Sequence, residues 1–373
     1  MNIGIDIREL QANLMTGIGR YLVNFLYWAI PQNPDCSFYL YGNQDTYFQY
    51  VSHNVTLRII PEQQTLYWDQ VTLPRQIRQD KLDVFLSPYI KGPIFSPAPL
   101  ITTMHDLLFL SLPEYRKNIG WELTYKCFAR LVGESAKAVI TDSLYSQNDI
   151  VRLLKLPRQK IKVIPLAVAP EYYQPVEAAA IEQLRQKAGI SGRYILYVGN
   201  FKPHKNIQRL VKAYAGLDEK LRQEYRLVLC GRPDSHCLQL RQLIQELKIE
   251  DEVIFPGMVT KELPALYRGA DLFVFPSLYE GFGLPVAEAM ACGVAVVTSN
   301  VTSLPEVAGD SAVLIDPRNT ESLTEAMSCL LTDQKLRAAY VQRGLQRAQL
   351  FHPNKFGPQV LALLKDIRLE SKP

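Results

Sequence analysis

The sequence has 373 residues, of which 47% are hydrophobic and 21% are charged, and these values describe a globular protein. This length is too great for one ordinary hydrophobic core and favours two domains of similar size. The net charge of +4 is too small to indicate a nucleic-acid-binding protein, although it permits contact with a membrane surface.

Apolar strands alternate with amphipathic helices along the chain, which predicts an α/β fold with one doubly wound parallel sheet in each half. The strands predicted in the first half are Ile3–Ile7, Ser37–Tyr41, Val55–Ile60, Asp83–Leu86, Leu100–Met104, Lys137–Thr141 and Ile161–Ile164. The Pro-rich stretch Pro165–Pro175 then indicates a link between domains, and we place the boundary near residue 170.

The second half carries apolar strands at Ala270–Ser277 and Gly293–Ser299. Near the end of the chain, Phe351–Pro358 is predicted to interrupt helical sequence before a final amphipathic run, Val360–Leu369.

The loop between those two strands contains a Gly-rich turn that leads into a helix begun by Pro285. Gly281 and Gly283 allow backbone conformations that other residues avoid, so amides from Gly281 to Leu284 can face outward at a positive helix end. A diphosphate is the ligand that such an end favours.

Two carboxylates flank this turn. Glu288, in the first helical turns, can bind a vicinal diol, while Glu280 precedes the helix and reaches another part of a ligand. In isolation this spacing also fits an ordinary helix start, but the strand–loop–helix–strand order places the loop at the carboxyl end of a parallel sheet, where such folds bind ligands.

Lys205 is the clearest cationic candidate. It follows a strand end at Val198–Gly199 and precedes a helix that begins near Asn206, so its ammonium can meet a diphosphate. A lysine in a loop is otherwise ordinary solvated surface.

The stretch from Ser277 to Pro317, with Glu280 and Glu288 as its acidic pair, resembles the donor-binding signature of the retaining glycosyltransferases of family 4, which have the two-domain GT-B fold. Weaker resemblance covers the first half. The further segments that carry the likeness are Tyr194–Asn206, Leu227–Gly231, Val253–Gly257, Thr16–Gly19, Met104–Asp106 and Val163–Pro165. The pairing of His105 with Asp106 is most similar to bacterial mannosyltransferases of polysaccharide and O-antigen assembly.

The resemblance implies an acceptor-binding domain at residues 1–170, a nucleotide-sugar-binding domain at 171–350 and a helix at 351–373 that crosses back to the first domain. The two Rossmann-like domains would face a cleft. The expected reaction is retaining transfer of a hexose, with GDP-mannose as the leading donor, to a glycan or lipid-linked acceptor.

Roles for the donor-site residues follow from the same likeness. Glu280 would position the sugar, Glu288 would hold the ribose, and the backbone at Gly257, Met258 and Val259 would read the base. The donor-binding set also contains Gly199, His204, Lys205, Gly281, Phe282, Gly283 and Leu284.

The first-domain candidates are Gly17, Gly19, His105 and Asp106. The two glycines lie before or at the start of a helix predicted from Ile18 to Ile30, and they form either a plain turn or a close backbone approach to the donor diphosphate or the acceptor. The resemblance implies that His105 contacts the transferred hexose, and that Asp106 orients His105 or meets the acceptor.

His204 stands where many family members place an arginine that binds phosphate. Three interpretations stay open: a protonated His204 does this work, Lys202 substitutes for it, or the leaving group is held less tightly.

No cofactor or metal is expected. The sequence has no Asp-x-Asp pair, and its five histidines form no ligand cluster, so we predict a metal-independent reaction. The alternatives are a non-catalytic sugar-nucleotide-binding partner subunit and a nucleotide-sugar epimerase. A dehydrogenase ranks lower, because an early G-x-G-x-x-G is missing.

The N-terminal segment is not continuously apolar, and no run is as long as a membrane span, so we expect a cytoplasmic protein. Residues 115–132 mix aromatic and basic side chains at helical spacing, among them Arg116, Lys117 and Trp121. Such a helix either packs on its own sheet or lies peripherally on the inner face of a membrane.

Overall fold

The computed structural model describes residues 1–12, 16–116, 118–233 and 235–370. The chain divides into two compact units, Met1–Ala167 together with the segment from Pro353 onward, and Val168–His352. The sequence placed the domain boundary near residue 170, and the structure divides the chain after Ala167.

The described part of the first unit contains a parallel sheet of seven strands in the order β3-β2-β1-β4-β5-β6-β7. Its strands are β1 Asn2–Asp6, β2 Ser37–Gly42, β3 Val55–Ile59, β4 Val84–Ser87, β5 Leu100–Thr103, β6 Ala138–Thr141 and β7 Ile161–Val163. The helices are α1 Gly17–Gln32, α2 Thr65–Tyr67, α3 Leu73–Gln79, α4 Leu108–Ser111, α5 Ile119–Ser135 and α6 Leu144–Asp149. The order reverses beside β1, as in a doubly wound fold.

The second unit has, among its described residues, a parallel sheet of six strands in the order β10-β9-β8-β11-β12-β13. Its strands are β8 Arg193–Val198, β9 Tyr225–Cys230, β10 Val253–Ile254, β11 Leu272–Phe275, β12 Val296–Ser299 and β13 Val313–Ile315. The helices are α7 Ala178–Lys187, α8 Ile207–Ala215, α9 Glu219–Glu224, α10 His236–Glu246, α11 Leu263–Arg268, α12 Leu284–Ala291, α13 Leu304–Ala308, α14 Thr320–Thr332 and α15 Gln334–Ala348.

The central strands of both sheets are buried on both faces, because helices cover each side. Every residue of β4 and of β11 is buried. Continuous apolar runs, rather than alternating ones, are typical of such strands, and this pattern made the strands readable from the sequence. The prediction of two doubly wound α/β sheets is confirmed.

The last helix, α16 (Pro353–Glu370), belongs to the first unit and packs on α1. The predicted interruption at Phe351–Pro358 is shorter than expected: the helical sequence breaks at residues 349–352, and α16 already begins at Pro353, where the fixed φ of proline suits a first helical position. Pro358 removes one helix hydrogen bond, and the buried stripe Phe356, Val360, Leu364 and Ile367 keeps the helix on the core.

Helix α5 carries the predicted interfacial segment, of which Lys117 lies outside the described residues. Its Trp121 and Tyr125 rings lie 4.6 Å apart, and both rings also contact Phe109 of α4. Ile119 and Leu123 are 80% and 60% exposed. Within the described ranges, no helix is both long and apolar enough to cross a bilayer.

The contact between α16 and α1 requires a glycine. A Cβ added at Gly357 would lie 2.2 Å from the Trp28 ring atoms Cδ2 and Cε3 and 2.8 Å from Cγ, which belong to the rigid ring and not to the far end of a flexible side chain. We expect Gly357→Ala to lower the free energy of unfolding by about 1–3 kcal/mol through overpacking.

Urea unfolding followed by fluorescence measures this change. The control is Gly120→Ala, because a Cβ at this exposed helical position meets, among the residues that the structure describes, the Asn118 side chain at an ordinary contact distance of 3.5 Å. Equal stability of Gly357→Ala and the native chain would contradict the packing described here.

Candidate functional site

An ion pair joins the two loops that follow β8 and β11. Lys205 Nζ lies 2.6 Å from Glu280 Oε1, and the two side chains are 12% and 13% exposed. Nζ also lies 5.2 Å from the centroid of the Phe275 ring. Since β8 and β11 are parallel neighbours, their carboxyl ends meet at one edge, and two predicted site residues come together there.

Hydrogen bonds of the two residues that flank Lys205 fix its backbone. Asn206 adopts a left-handed conformation (φ 60°) and donates from Nδ2 to the carbonyl oxygens of Pro276 (2.9 Å) and Pro317 (2.7 Å). The carbonyl oxygen of His204 accepts from Leu278 N at 2.7 Å. The position of Lys205 is therefore set by hydrogen bonds to two other loops.

Glu280 is fixed by residues that sequence reasoning missed. Its backbone N–H donates to Thr302 Oγ1 (3.2 Å), and Ser303 Oγ donates to the carbonyl oxygens of Glu280 and Phe282 (both 2.9 Å). Ser303 is fully buried. Its place after β12 is the signal that could have indicated it, because the ends of neighbouring strands share one edge.

The start of α12 has the geometry expected for an anion-binding turn. Gly283 is left-handed (φ 100°), no described side chain caps the helix, and Pro285 lies in its first turn. A Cβ at Gly283 would lie 2.5 Å from Leu304 Cδ2, so this position needs glycine for both conformation and space. The Phe282 ring is turned into the core, where it packs edge-on to Phe351, so its backbone is the part available at this turn.

Glu288 lies deeper than the sequence suggested. It is 1% exposed, and its Oε2 accepts from the Tyr267 hydroxyl at 3.0 Å. This bond orients the carboxylate within α12. Its binding of a ribose stays a prediction.

Glycines bring the ends of β8, β9 and β10 into direct backbone contact. Gly199 N donates to Cys230 O, and Gly231 N donates to Gly257 O, both at 3.0 Å. A Cβ at Gly231 would lie 1.9 Å from Gly199 O, and sequence reasoning did not single out this glycine as a site residue.

The loop predicted to read the base, Gly257 to Val259, begins at the residue that makes this contact. Gly257 is left-handed (φ 76°), no atom of the described residues lies within 4 Å of a Cβ added there, and the Met258 side chain beside it is 50% exposed. The backbone of Val259 contacts the Cys230 thiol. The loop is thus open beside Gly257 and anchored at its base.

The surroundings of His204 oppose a positive charge on its ring. The residue is 5% exposed, and burial, with the neighbouring charges of Lys205 and Lys202, lowers the pKa of its ring to about 3. Of the three interpretations of His204, the one that needs a protonated ring is therefore disfavoured in the free chain.

In the first unit, Gly17 and Gly19 lie inside the first turn of α1 and not before it. The Gly19 N–H donates to Thr16 Oγ1 at 2.9 Å, so the Thr16 side chain caps the helix and this amide already has a partner. Among the described residues beyond its own helix backbone and chain neighbours, no atom lies within 4 Å of a Cβ added at Gly17. Gly17 is thus the more accessible of the two for a close backbone approach.

His105 follows β5 and is oriented by Asp142, which follows β6. Nδ1 lies 2.8 Å from Asp142 Oδ2, and Nε2 lies 3.1 Å from Pro88 O. Asp106 Oδ1 accepts from Leu108 N at 2.9 Å, and the orienting of His105 by Asp106 stays a prediction. The alternative that Asp106 meets an acceptor stays a prediction.

Two family models match the chain over most of its length. Glycosyltransferase Family 4 matches residues 15–172, and Glycosyl transferases group 1 matches residues 180–347. The chain belongs to glycosyltransferase family 4.

Curated relatives of this family 4 chain include two proteins of Escherichia coli. It is 38% identical over 254 residues to O-antigen chain mannosyltransferase B, covering 67% of this chain and 66% of that protein. It is 34% identical over 210 residues to the serotype-specific mannosyltransferase WbdA, covering 54% of this chain and 25% of WbdA. The match thus spans just under two thirds of the first relative and a quarter of the second.

Solved structures match the family 4 chain nearly end to end. Anabaena HepE, crystallised in complex with UDP, has a TM-score of 0.79 at 20% identity, covering 98% of this chain and 99% of that one. Sucrose-phosphate synthase of Thermosynechococcus elongatus has a TM-score of 0.80 at 21% identity, covering 99% and 100%. At such identities the likeness concerns the fold, and the predicted GT-B fold is confirmed.

We expect the His204 ring to stay uncharged in the free protein from about pH 8 down to about pH 5, because burial opposes its protonation. Long-range ¹H–¹⁵N spectra of the histidine rings measure this, and the His204→Gln variant assigns the signal. A ring that titrates near the ordinary histidine value of about 6.5 would contradict the burial described here.

Proposed function

We propose that the chain is a retaining, metal-independent glycosyltransferase that moves a hexose from a nucleotide diphosphate sugar to a glycan or lipid-linked acceptor. The observation that carries the proposal is the pair of Lys205 and Glu280, 2.6 Å apart at the same sheet edge as the uncapped start of α12.

A diphosphate fits the positive half of this arrangement. The ammonium of Lys205 and the backbone amides at the start of α12 both favour negative charge, and the helix dipole adds to them. The phosphate would take Lys205 from Glu280, and the freed carboxylate would accept hydrogen bonds from sugar hydroxyls. One ligand would thereby satisfy both members of the pair.

The chemistry needs stabilisation of the leaving phosphate. The bond between C1 of the hexose and the phosphate oxygen breaks, the acceptor oxygen bonds to C1 on the same face, and the acceptor proton passes to a phosphate oxygen. Charge grows on the phosphate in the transition state, where Lys205 and the α12 amides supply preorganised positive charge. Glu280 positions the sugar and is not a nucleophile in this scheme.

The remainder of the donor is assigned to neighbouring loops. Glu288 would bind the ribose by exchanging its Tyr267 hydrogen bond for a diol, and the open backbone beside Gly257 would read the base. Mannose as the transferred sugar, with GDP as the carrier, is supported by the names of the Escherichia coli relatives, which are mannosyltransferases.

The acceptor is proposed to bind the first unit, where Gly17, His105 and Asp106 lie. A lipid-linked acceptor would place that unit at a membrane surface. The exposed Ile119 and Leu123 of α5, together with the Arg116 side chain near its start, support such a contact.

The donor assignment is tested with a thermal-shift panel of GDP-mannose, UDP-glucose, UDP-GlcNAc and NAD. We expect GDP-mannose to raise the melting temperature most, because a ligand that binds the folded state stabilises it. Lys205→Ala should lose about tenfold or more in affinity for GDP and slow donor hydrolysis about a hundredfold. Glu280→Gln should bind GDP at least as tightly as the native chain, because no carboxylate then competes for Lys205, and should lose donor hydrolysis.

Lys220→Ala is the matched control, since this lysine lies on α9 and is fully outside the proposed site. Stabilisation by NAD alone would overturn the transferase proposal in favour of a dehydrogenase. Donor binding with no hydrolysis or transfer under any condition would favour the non-catalytic partner subunit.

Metal independence is tested by chelation. Donor hydrolysis by the native chain should change less than about twofold in excess EDTA, because Lys205 and the α12 amides meet the diphosphate directly. Loss of activity that added Mg²⁺ or Mn²⁺ restores would contradict this part of the proposal.

A further inference from the structure

Three neighbouring strands of the first sheet converge on the His105 ring. Pro88 follows β4, His105 follows β5, and Asp142 follows β6. The loops are also joined to each other, since Thr141 Oγ1 donates to Met104 O at 2.8 Å. The ring is therefore held by three loops of one rigid sheet edge.

Both ring nitrogens of His105 face hydrogen-bond acceptors. Nδ1 lies 2.8 Å from a carboxylate oxygen of Asp142, and Nε2 lies 3.1 Å from the carbonyl oxygen of Pro88. A neutral imidazole has one N–H and one lone pair, so it would set a lone pair against an oxygen at one of these contacts. The doubly protonated imidazolium satisfies both.

Asp142 is the group that compensates this charge. Its side chain is 2% exposed, and its second oxygen, Oδ1, has no hydrogen-bond partner among the described residues. A buried carboxylate with a free oxygen is costly unless a cation lies beside it. The two side chains thus need each other as an ion pair.

The other groups around the ring do not replace Asp142. The Tyr21 ring of α1 packs edge-on at 5.0 Å, while its hydroxyl contacts Thr103 Oγ1 at 3.1 Å. Burial raises the pKa of Tyr21, so this phenol stays uncharged. Asp106 is the second carboxylate near the ring, and its Oδ1 is engaged by Leu108 N.

We propose that Asp142 is a positioning residue that holds His105 as an imidazolium, so that His105 serves the transfer reaction as a fixed positive charge and not as a proton carrier. The inference rests on the proposed function, which assigns the reaction in which His105 takes part. With both N–H groups engaged by the protein, the ring has no lone pair for a general base.

The electrostatics agree in sign with this geometry. Burial by itself lowers the pKa of His105, but the charge and hydrogen bond of Asp142, with smaller contributions from the Asp106 charge and the Pro88 carbonyl, together raise that pKa above its ordinary value. Burial also raises the pKa of Asp142, while the charge and hydrogen bond of His105 oppose that rise. The charged form therefore persists to a higher pH than in an unfolded chain and is lost as the pH rises through the folded-state value. Activity that depends on this charge should fall over the same range of rising pH.

The test is the protonation state of the His105 ring in the whole protein. Long-range ¹H–¹⁵N spectra, assigned with His105→Gln, should show both nitrogens protonated at neutral pH in the native chain. In Asp142→Asn the amide keeps the shape but removes the charge, so the ring should lose its proton at neutral pH. Donor turnover should fall about a hundredfold, with KM changed less than about threefold.

Asp83→Asn is the matched control, because this carboxylate of the same unit pairs with Arg368 at 3.2 Å at the other end of β4. It should leave the His105 signal and the turnover unchanged. A neutral His105 in the native chain overturns the proposal, and this measurement does not require that Asp142→Asn fold. Unchanged protonation or unchanged turnover in folded Asp142→Asn overturns it as well.

Failure of the proposed function is a different outcome. If the His105 ring is doubly protonated and depends on Asp142 but the chain binds no sugar nucleotide, the ion pair stands and the proposed transfer reaction is refuted. If the His105 ring is neutral but the chain hydrolyses a sugar nucleotide, the proposed ion pair is refuted and the proposed function stands.

Discussion

Backbone contact between glycines determines the candidate donor site. Gly231 leaves no space for a side chain against the carbonyl oxygen of Gly199, and its N–H is bound by Gly257. The ends of β8, β9 and β10 therefore form one surface made of peptide groups. Such a surface offers fixed dipoles that need not rearrange when a ligand arrives, and fixed dipoles are what an anionic transition state requires.

The candidate site of the first unit is built from side chains, whereas that of the second unit is built largely from backbone groups. His105 and Asp142 form a charged pair whose surroundings are aromatic, with Tyr21 against the imidazole and Phe356 of α16 against Tyr21 at 5.3 Å. The final helix of the chain thus supports the residue that resemblance places nearest the hexose. This explains why a segment remote in sequence is part of the same compact unit.

Local pattern predicted the framework of the fold well. Strands such as Leu100–Met104 and Lys137–Thr141 were placed within one residue at each end, because short apolar runs bounded by polar residues are strong signals. Strand β13 was missed, since it has only three residues, one of them exposed. The start of α16 was placed wrongly because two prolines resembled a helix break.

The sequence predicted those candidate site residues that stand in a recognisable local motif of their own loop. Lys205 and Glu280 were both identified, and the parallel sheet explains why they meet. Asp142 was missed because it lies 37 residues from His105, and only the pairing of β5 with β6 brings them together. The neutrality of His204 was also out of reach, since burial depends on packing that no local pattern records.

The ion pair between Lys205 and Glu280 also bears on which ligands the site rejects. In the free chain the Lys205 ammonium and the Glu280 carboxylate are paired. An inorganic phosphate or a bare nucleotide that bound Lys205 would leave the Glu280 carboxylate, which is 13% exposed, without its partner. A ligand that brings hydroxyl donors along with its phosphates avoids that loss. In the proposed reaction the pair would therefore favour the intact donor over the spent nucleotide, and the product would leave as the two side chains rejoin.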